Sequence, residues 1–436
     1  MHDVIVIGAG MAGTAAAREI ARAGGSVVIV EARDRVGGRL HSVRDFCGQP
    51  VEGGAEFIHG VGAEHWDVAR AAGVRTRALR ATHGAMFDIG QGPRWLPRVL
   101  LDPRVWPCFR LLWLIRHHRP PDLSAGQFIE RHGFRGPARV LAELTLTAHL
   151  PGSLDEVGIM GLLEDRVLDL ETGLNHRVVE GYDTLPRFLA RDLDVRLGFD
   201  VETVRWDPGG VSVTSRDGHE LAARAAISTL PVGVLAAGRV RFAPNLPASK
   251  RDALGWIRMG PVLKILLRFR QPFWPRRLAT LVCGVGPVTL YWATFRGTEA
   301  GSPVLTAYVT GPRAARLSAA ADEEAARIVL DDLRRLFPKA DPAAQLEDCR
   351  RIDWTTDPFA LGGYTFLLPG GTGARAKLAA ADTGALFWAG AETATTTIAA
   401  SVQGAYVTGR RAAAEALAFL AGERPASARS RREGER

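Results

Sequence analysis

The sequence predicts an α/β fold in which a Rossmann-type domain is interleaved with an α+β domain of mixed sheet and helices. A strand–helix–strand pattern occupies residues 4–31, residues 62–176 read as mostly helical, and short strand patterns return after residue 194. Because strand-rich and helical segments alternate along the chain, we expect each domain to be assembled from separate segments. The predicted boundaries are 1–61, 177–250 and 350–422 for the first domain, 62–176 and 251–349 for the second, and 423–436 for a disordered basic tail.

The amino-terminal strand–helix–strand unit carries a glycine-rich turn. The apolar run of residues 4–7 leads into Gly8, Gly10 and Gly13. A second apolar run ends at Glu31, 18 residues after Gly13. Gly8 permits a tight turn, Gly10 lets the backbone approach a pyrophosphate, and Gly13 allows close packing of helix on strand. Because Glu31 is placed to accept hydrogen bonds from a ribose hydroxyl, the unit predicts a dinucleotide-binding site.

The segment directly after Glu31 distinguishes between dinucleotides. It contains Arg33, Gly38 and Arg39 and resembles the extension typical of two-domain flavoproteins. A guanidinium beside the glycine turn suits the FAD pyrophosphate, because it donates paired hydrogen bonds to phosphate oxygens. A nicotinamide-dependent dehydrogenase has no need of such a segment. We therefore predict that Arg33, Gly38 and Arg39 contact FAD.

Composition argues against several classes of function. The formal net charge of +8 is carried mostly by arginine, but no recognition motif or concentrated basic domain indicates nucleic-acid binding. Four widely spaced cysteines fit neither a metal site nor a disulfide framework, and they predict a reducing, cytoplasmic location. The first strand is expected to begin near residue 3, which leaves no room for a signal peptide. No apolar run of about 18 residues predicts a membrane span.

Residues 95–119 form a basic stretch that contains three tryptophans and five arginines. A basic amphipathic stretch of this kind could lie on a membrane surface, which would give a weak membrane contact. The alternative interpretation is a pair of helices that cover the second domain. The sequence leaves both interpretations open, and it leaves the oligomeric state open as well.

Four further segments resemble the flavin-containing amine oxidases, a family that includes monoamine oxidase, polyamine oxidase and lysine-specific histone demethylase. The segments are 51–60, 259–274, 354–364 and 386–409, and the resemblance extends over about residues 3–420. It implies an FAD-binding first domain and a substrate-binding second domain. It also implies oxidation of an amine C–N bond by hydride transfer to flavin N5, with molecular oxygen as the acceptor and an imine or aldehyde and hydrogen peroxide as products.

The resemblance assigns roles to individual residues. Lys264 lies in an apolar strand pattern, where a lysine is costly without a partner, and the family places this lysine against flavin N5 through a water molecule. His59 is expected to line the substrate cavity near the flavin ring, so Lys264 and His59 are the predicted catalytic residues. The other predicted cofactor contacts are Gly54, Ala55, Glu56, Phe57, Val201, Trp354, Glu392, Ser401 and Val402. The predicted substrate pocket comprises His59, Tyr364, Thr365 and Ser401, and no metal site is predicted.

Departures from the family pattern restrict the expected activity. Tyr364 stands where monoamine oxidases carry the cysteine that links the flavin, so FAD is expected to bind non-covalently. Thr365 and Ser401 replace the two tyrosines that enclose the amine, and Phe57 replaces an arginine that binds amino-acid carboxylates. The substrate is then an unusual amine, a polyamine or a nitrogen-bearing biosynthetic intermediate. Two alternatives stay open: a flavin-dependent desaturase of a lipophilic substrate at a membrane surface, of the phytoene desaturase or protoporphyrinogen oxidase type, and a flavoprotein without catalytic activity.

Overall fold

The computed structural model describes residues 1–79, 83–147, 150–172, 174–296 and 302–422. The predicted basic tail at 423–436 lies outside these residues. Two large sheets organise the described chain, and three small sheets of two or three strands accompany them. Within the described ranges, no helix combines the length and apolar character that a membrane crossing requires.

The first large sheet, termed the nucleotide sheet, has a parallel centre and an antiparallel flank. His2–Ile7 lies between Val27–Val30 and Glu220–Ser228 and runs parallel to both. In spatial order the strands are Asp194–Arg196, Val27–Val30, His2–Ile7, Glu220–Ser228, Gly210–Ser215, Val201–Asp207 and Arg241–Ala243, with Leu386–Trp388 paired to the end of Glu220–Ser228. This order confirms the predicted Rossmann-type unit and the return of the chain to it.

Helices cover the parallel strands, which explains the nearly continuous apolar sequence of those strands. Met11–Arg22 and Val402–Leu420 pack on the same face of the nucleotide sheet. A Cβ atom at Gly409 would lie 2.1 Å from the carbonyl oxygen of Ala12, so the glycine is needed where the two helices touch. The last helix of the described chain is thereby held against the first.

The second large sheet, termed the substrate sheet, is mixed, as predicted. In spatial order its strands are Leu346–Asp353, Val262–Phe269, Val304–Thr310, Leu290–Ala293, Thr280–Cys283, Ala85–Asp88 and Pro93–Trp95. Ala85–Asp88 runs parallel to Thr280–Cys283, whereas the other neighbouring strands are antiparallel. The amphipathic helix predicted at 319–337 is found as Asp322–Leu336 and packs on this sheet together with Gly311–Ser318.

The prediction that residues 62–176 are mostly helical is confirmed only in part. Helical segments occupy Trp66–Ala71, Leu96–Leu100, Pro103–Arg110, Leu111–Arg116, Ala125–Arg131, Gly136–Thr147, Ile159–Glu164 and Val167–Thr172. Strands Thr76–Leu79, Ala85–Asp88, Pro93–Trp95 and Asn175–Val178 also begin in this range. Strands of three or four residues are too short for their alternation to stand out against a helical period. The predicted domain boundary at residue 350 falls inside strand Leu346–Asp353.

The remaining elements complete the described chain. The other helical segments are Thr184–Ala190, Val232–Ala236, Ala248–Trp256, Pro342–Gln345, Ala374–Ala379 and Ala391–Thr393. The small sheets pair Ser42–Val43 with Val51–Glu52, Ile257–Gly260 with Tyr364–Leu367, and Asn175–Val178 with both Ile58–His59 and Thr76–Leu79. Two of these small sheets therefore hold residues of the predicted site, His59 and Tyr364.

Candidate active site

A cavity of about 730 Å³ is lined by residues of both large sheets. The part that we term the nucleotide portion contains Gly8, Gly10, Glu31, Arg39 and Val201. The central portion contains Glu56, Phe57, His59, Lys264, Trp292, Tyr308 and Tyr364. The helical portion contains Leu96, Leu100, Phe109, Leu112, Leu141, Leu144 and Thr145. The cavity is thus continuous from the predicted dinucleotide site to the helices between residues 96 and 147.

The glycine turn of the nucleotide portion leaves space for a ligand. Gly8 has a φ of +105°, and a Cβ atom on it would lie 2.4 Å from the Thr229 hydroxyl oxygen. A Cβ atom on Gly13 would lie 1.9 Å from the Gly8 carbonyl oxygen, so this glycine serves the packing of helix on strand. By contrast, a Cβ atom on Gly10 would meet only the Gly37 carbonyl oxygen, at 3.9 Å. Gly10 therefore borders open space, as a backbone that approaches a pyrophosphate must.

Glu31 ends the second strand with its carboxylate on the cavity. One carboxylate oxygen accepts the Ala9 N–H at 2.8 Å, and the other accepts the Arg33 N–H at 2.9 Å. Burial raises the pKa of Glu31 above its ordinary value, although both backbone hydrogen bonds oppose that shift. A carboxylate has more acceptor positions than these two bonds use, so Glu31 can also receive ribose hydroxyl groups.

Arg33 is held in position by a carboxylate of the chain itself. Its two terminal nitrogens donate to both carboxylate oxygens of Asp357, at 2.8 and 2.6 Å. The guanidinium also lies over the rings of Trp354 and Phe359, at 5.8 and 5.3 Å from the ring centres. Arg33 and Trp354 both line the cavity. The predicted contact of Arg33 with FAD stays a prediction.

Arg39 and Glu392 join the two ends of the chain at the cavity. An Arg39 terminal nitrogen lies 2.6 Å from a Glu392 carboxylate oxygen, and the other donates to the Gly363 carbonyl at 2.9 Å. Glu392 is 2% exposed and lies behind Arg39, which lines the cavity. Glu392 itself does not line the cavity, and its carboxylate holds Arg39 in position.

Gly54 is required by backbone packing. A Cβ atom on Gly54 would lie 1.8 Å from the Arg39 carbonyl oxygen, so a side chain there would displace the segment that carries Arg39. The close approach of this backbone to a flavin ring stays a prediction, and the packing against Arg39 is a second reason for a glycine at this position. Gly54, Ala55 and Phe57 nevertheless line the cavity.

The start of the last helix also faces the cavity. Ser401 is the N-cap of Val402–Leu420, and its hydroxyl oxygen accepts the Gly404 N–H at 2.9 Å. Ser401 and Val402 both line the cavity. The first N–H groups of a helix have no intrahelical partner and carry a partial positive charge, so this end stabilises negative charge on a bound group.

Lys264 is buried in the central portion and is surrounded by acceptors. Its ammonium donates to the Glu52 carbonyl at 2.9 Å and to a Glu56 carboxylate oxygen at 2.8 Å. It also lies 4.9 Å from the centre of the Trp292 ring, over the ring face. These contacts give a lysine that is only 3% exposed two hydrogen-bond acceptors and an aromatic face.

Glu56 balances two cations. Its second carboxylate oxygen is paired with the guanidinium of Arg177, which also lies over the Phe57 ring at 5.6 Å. Burial opposes ionisation of Glu56, but the charges of Lys264 and Arg177 outweigh it and hold the pKa of this carboxyl below its ordinary value. Arg177 was missed by the sequence analysis, because it lies 121 positions from Glu56 and no local pattern marks it.

Aromatic side chains form the cavity wall beside Lys264. Tyr308 pairs directly with Lys264 across neighbouring strands, and its hydroxyl is hydrogen bonded to that of Tyr364. Trp292 lies beside Tyr308 with ring centres 5.4 Å apart. Tyr364 was predicted from the sequence, whereas Trp292 and Tyr308 were not. The alternation of the strands places these rings on the Lys264 side, yet the register between strands is required to see it.

His59 is fixed at the edge of this aromatic wall. Its Nδ1 lies 2.9 Å from the side-chain oxygen of Asn175, and its ring meets Phe57 edge-on at 6.3 Å between centres. His59 lines the cavity, which is the position predicted for it. Its catalytic role stays a prediction.

Thr365 does not belong to the substrate pocket, contrary to the sequence prediction. It is fully buried, and its hydroxyl accepts a hydrogen bond from Arg375 at 3.0 Å. Arg375 is itself paired with Asp165 at 2.7 Å and donates to the Glu392 carbonyl at 3.1 Å. Thr365 follows Tyr364 in a strand, so its side chain points to the opposite face. It therefore supports the turn that carries Glu392.

Comparison with known sequences agrees with this geometry. A sequence model of the flavin-containing amine oxidoreductases matches residues 11–417. Polyamine oxidase 5 of Oryza sativa subsp. japonica is 31% identical over 444 residues, which cover 96% of this chain and 88% of that protein. Lysine-specific histone demethylase 1B of Mus musculus is 28% identical, and the match covers 96% of this chain and 53% of that protein.

Solved structures share the fold. Cyclohexylamine oxidase from Brevibacterium oxydans superposes with a TM-score of 0.83 at 22% identity, covering 96% of this chain and 99% of that chain. Wild-type putrescine oxidase bound to putrescine superposes with a TM-score of 0.80, also at 22% identity and with the same coverage. At this level of identity the likeness concerns the arrangement of the chain.

Proposed function

The chain belongs to the family of flavin-containing amine oxidoreductases, and on that premise we propose that it oxidises the C–N bond of a small amine with non-covalently bound FAD and molecular oxygen. One observation carries the proposal: a single cavity joins the glycine turn, the start of the last helix and the buried Lys264. Amine and oxygen give imine and hydrogen peroxide, and water then converts the imine to an aldehyde and releases ammonia or an amine.

The nucleotide portion fits FAD. Gly10 leaves room for phosphates, Glu31 offers acceptors for ribose, and the helix start at Ser401 suits the electron-rich edge of the flavin ring. Tyr364 replaces the linking cysteine, and the cysteine that lines the cavity, Cys108, lies among the helices. When bound, FAD would accept the hydride, with its two electrons, that leaves the carbon beside the amine nitrogen.

The central portion prepares the amine for this transfer. Lys264 donates two of its three N–H groups to Glu52 and Glu56, so among the described contacts one remains to hold a water molecule at the cavity. Trp292 and Tyr308 orient the amine and exclude bulk water. His59, held by Asn175, can exchange a proton with the amine before its hydride leaves.

The alternative activity, desaturation of a lipophilic substrate, receives no support from the relatives. Those named above are oxidases and demethylases that share the family of this chain. A non-enzymatic flavoprotein is also disfavoured, because a buried ion pair and an aromatic wall at the centre of the cavity are costly features for a scaffold to retain.

The surface formed by residues 95–119, termed the basic apolar surface, supports a finer proposal about location. Helices of this segment cover the cavity, yet their outer side exposes Leu100, Leu101, Trp106, Phe109, Leu112 and Trp113. Arginines lie between these side chains, so weak contact with an anionic lipid surface is proposed. All four cysteines are free, which supports the proposed cytoplasmic location.

The test is a turnover measurement on FAD-loaded protein. A panel of primary amines, diamines and polyamines is incubated aerobically, and oxygen, peroxide and aldehyde are measured together. We expect at least one amine to give peroxide and aldehyde in equal amounts, each equal to the amount of oxygen consumed. Absence of turnover with every amine in the panel would refute it.

A further inference from the structure

We infer that the substrate is an apolar monoamine, an amine whose carbon body carries no second charged nitrogen. The inference rests on the proposed amine oxidation and specifies which amine the helical portion of the cavity accepts. It departs from the polyamine oxidase name of the first relative, and it is argued from the lining of the cavity alone.

The helical portion is apolar. It is lined by Leu96, Leu100, Phe109, Leu112, Leu141 and Leu144, which come from several helical segments. The hydroxyl of Thr145 also borders it, but that hydroxyl already donates to the Leu141 carbonyl at 2.9 Å. An aliphatic or aromatic body is stabilised by burial against such a surface, in proportion to the apolar area removed from water.

Every carboxylate on the cavity is already engaged. Among the described residues, the lining contains three: Glu31, Glu56 and Asp200. Glu31 accepts two backbone N–H groups in the nucleotide portion, and Asp200 is paired with Arg216 at 3.0 Å. Glu56 lies between Lys264 and Arg177. None of the three lies in the helical portion, where the far end of an extended substrate must go.

A second ammonium would therefore be buried without a partner. An aliphatic amine resembles the lysine side chain, whose pKa is about 10.4, so the far nitrogen of a diamine is charged at pH 8. Moving an unpaired charge from water into an apolar cavity is strongly unfavourable. The cations of Lys264 and Arg177 add repulsion from the central portion. A monoamine of the same length meets neither cost.

The entrance of the cavity is lined by apolar side chains, like the helical portion. Leu100, Phe109 and Leu112 line the cavity and are also exposed, by 39%, 63% and 40%. The cavity thus reaches solvent through apolar side chains of the basic apolar surface.

The experiment compares heptylamine with 1,6-diaminohexane, which have the same number of heavy atoms and differ in one terminal group. With FAD-loaded protein at pH 8, we expect kcat/KM for heptylamine to exceed that for the diamine by at least about 100-fold, which corresponds to about 2.7 kcal/mol. Equal values, or a preference for the diamine or for spermine, would overturn the inference and leave the proposed function intact. If no amine is turned over, the proposed function itself fails.

A pair of variants tests whether the far end of the substrate lies in the helical portion of the cavity. Thr145→Asp adds a carboxylate beside the helical portion and should raise the relative kcat/KM of the diamine at least tenfold. Thr145→Val removes the hydroxyl without adding charge and should keep the preference for heptylamine. FAD content and melting temperature show whether each variant is folded. If Thr145→Asp is misfolded, the comparison of heptylamine with the diamine on the unaltered protein tests the inference. An unchanged preference in a folded, FAD-loaded Thr145→Asp protein would contradict the inference.

Discussion

The ammonium nitrogen of Lys264 lies 2.8 Å from a carboxylate oxygen of Glu56, and both side chains are almost completely buried. The other Glu56 oxygen is paired with Arg177, so one carboxylate balances two cations at the centre of the cavity. The position of Lys264 at the cavity surface therefore depends on Glu56. A lysine embedded in an apolar strand was visible in the sequence, whereas the carboxylate that holds it came from a loop 208 positions away.

Glu56→Gln should destabilise the fold and slow catalysis. The substitution leaves two buried cations with a neutral partner, and breaking a buried ion pair costs about 3–5 kcal/mol. Urea denaturation measures the loss in the free energy of unfolding, and kcat/KM for the best amine measures the loss in activity. Glu64→Gln, at an exposed position, is the matched control and should change neither quantity. Equal stability of the Glu56 and Glu64 variants would contradict the account.

Glu52 should make stability depend on pH. Burial raises the pKa of this carboxyl to about 7, whereas in an unfolded chain a glutamate titrates near about 4.3. The folded protein therefore binds more protons between these values, and its free energy of unfolding falls as the pH rises through this window. In the Glu52→Gln variant, this decrease in the free energy of unfolding with rising pH is absent. Its stability relative to the unaltered protein should increase by about 3 kcal/mol between pH 4 and pH 8, and a difference independent of pH would exclude this assignment.

Arg375→Met should unfold the protein more easily and release FAD. Arg375 is fully buried, pairs with Asp165 and holds the carbonyl of Glu392, so the change leaves a buried carboxylate without its cation. We expect a loss of about 3–5 kcal/mol in the free energy of unfolding and a faster loss of FAD on dilution. Lys377→Met, at an exposed position of the same helix, should leave both measurements unchanged. If the two variants behave alike, Arg375 does not support the cofactor site.

Phe109→Ser/Trp113→Ser should abolish sedimentation with phosphatidylserine-containing vesicles. These side chains are 63% and 60% exposed on the basic apolar surface, and inserting them between lipids contributes most of the proposed affinity. Val61→Ser/Leu197→Ser removes two side chains that are 76% and 46% exposed elsewhere and serves as the control. Neutral vesicles should bind the unaltered protein more weakly. No sedimentation of the unaltered protein with anionic vesicles would remove the lipid proposal.

The sequence predicts best those features that are local. The glycine turn, the first helix and Glu31 follow one another at fixed spacings, so the amino-acid sequence alone is sufficient to predict a Rossmann-type unit that binds a dinucleotide. The sequence also shows that residues 365 and 401, the positions assigned to the family's tyrosine pair, are threonine and serine, but it does not show that Tyr364, and not residue 365, lines the cavity.

What the sequence could not show depends on pairings between distant segments. The sequence did not show that Arg33 is paired with Asp357, 324 positions away. Trp292 and Tyr308 reach the cavity only through the register of the substrate sheet. Thr365 directly follows Tyr364 in a strand, and because successive side chains point to opposite faces, the Thr365 side chain points away from the cavity. A shift of one residue in register moves every side chain of a strand to the opposite face of the sheet. That register cannot be read from one sequence alone.

The most direct test of the account is anaerobic mixing of the FAD-loaded protein with one equivalent of heptylamine. If the cavity brings the amine to the flavin beside Lys264, the visible flavin absorbance falls, one amine is consumed per flavin, and oxygen restores the colour with release of peroxide. Lys264→Met should retain FAD and slow one of these two phases at least tenfold, whereas Lys377→Met should slow neither. Full colour after mixing with heptylamine and with every other amine tried would contradict the central claim.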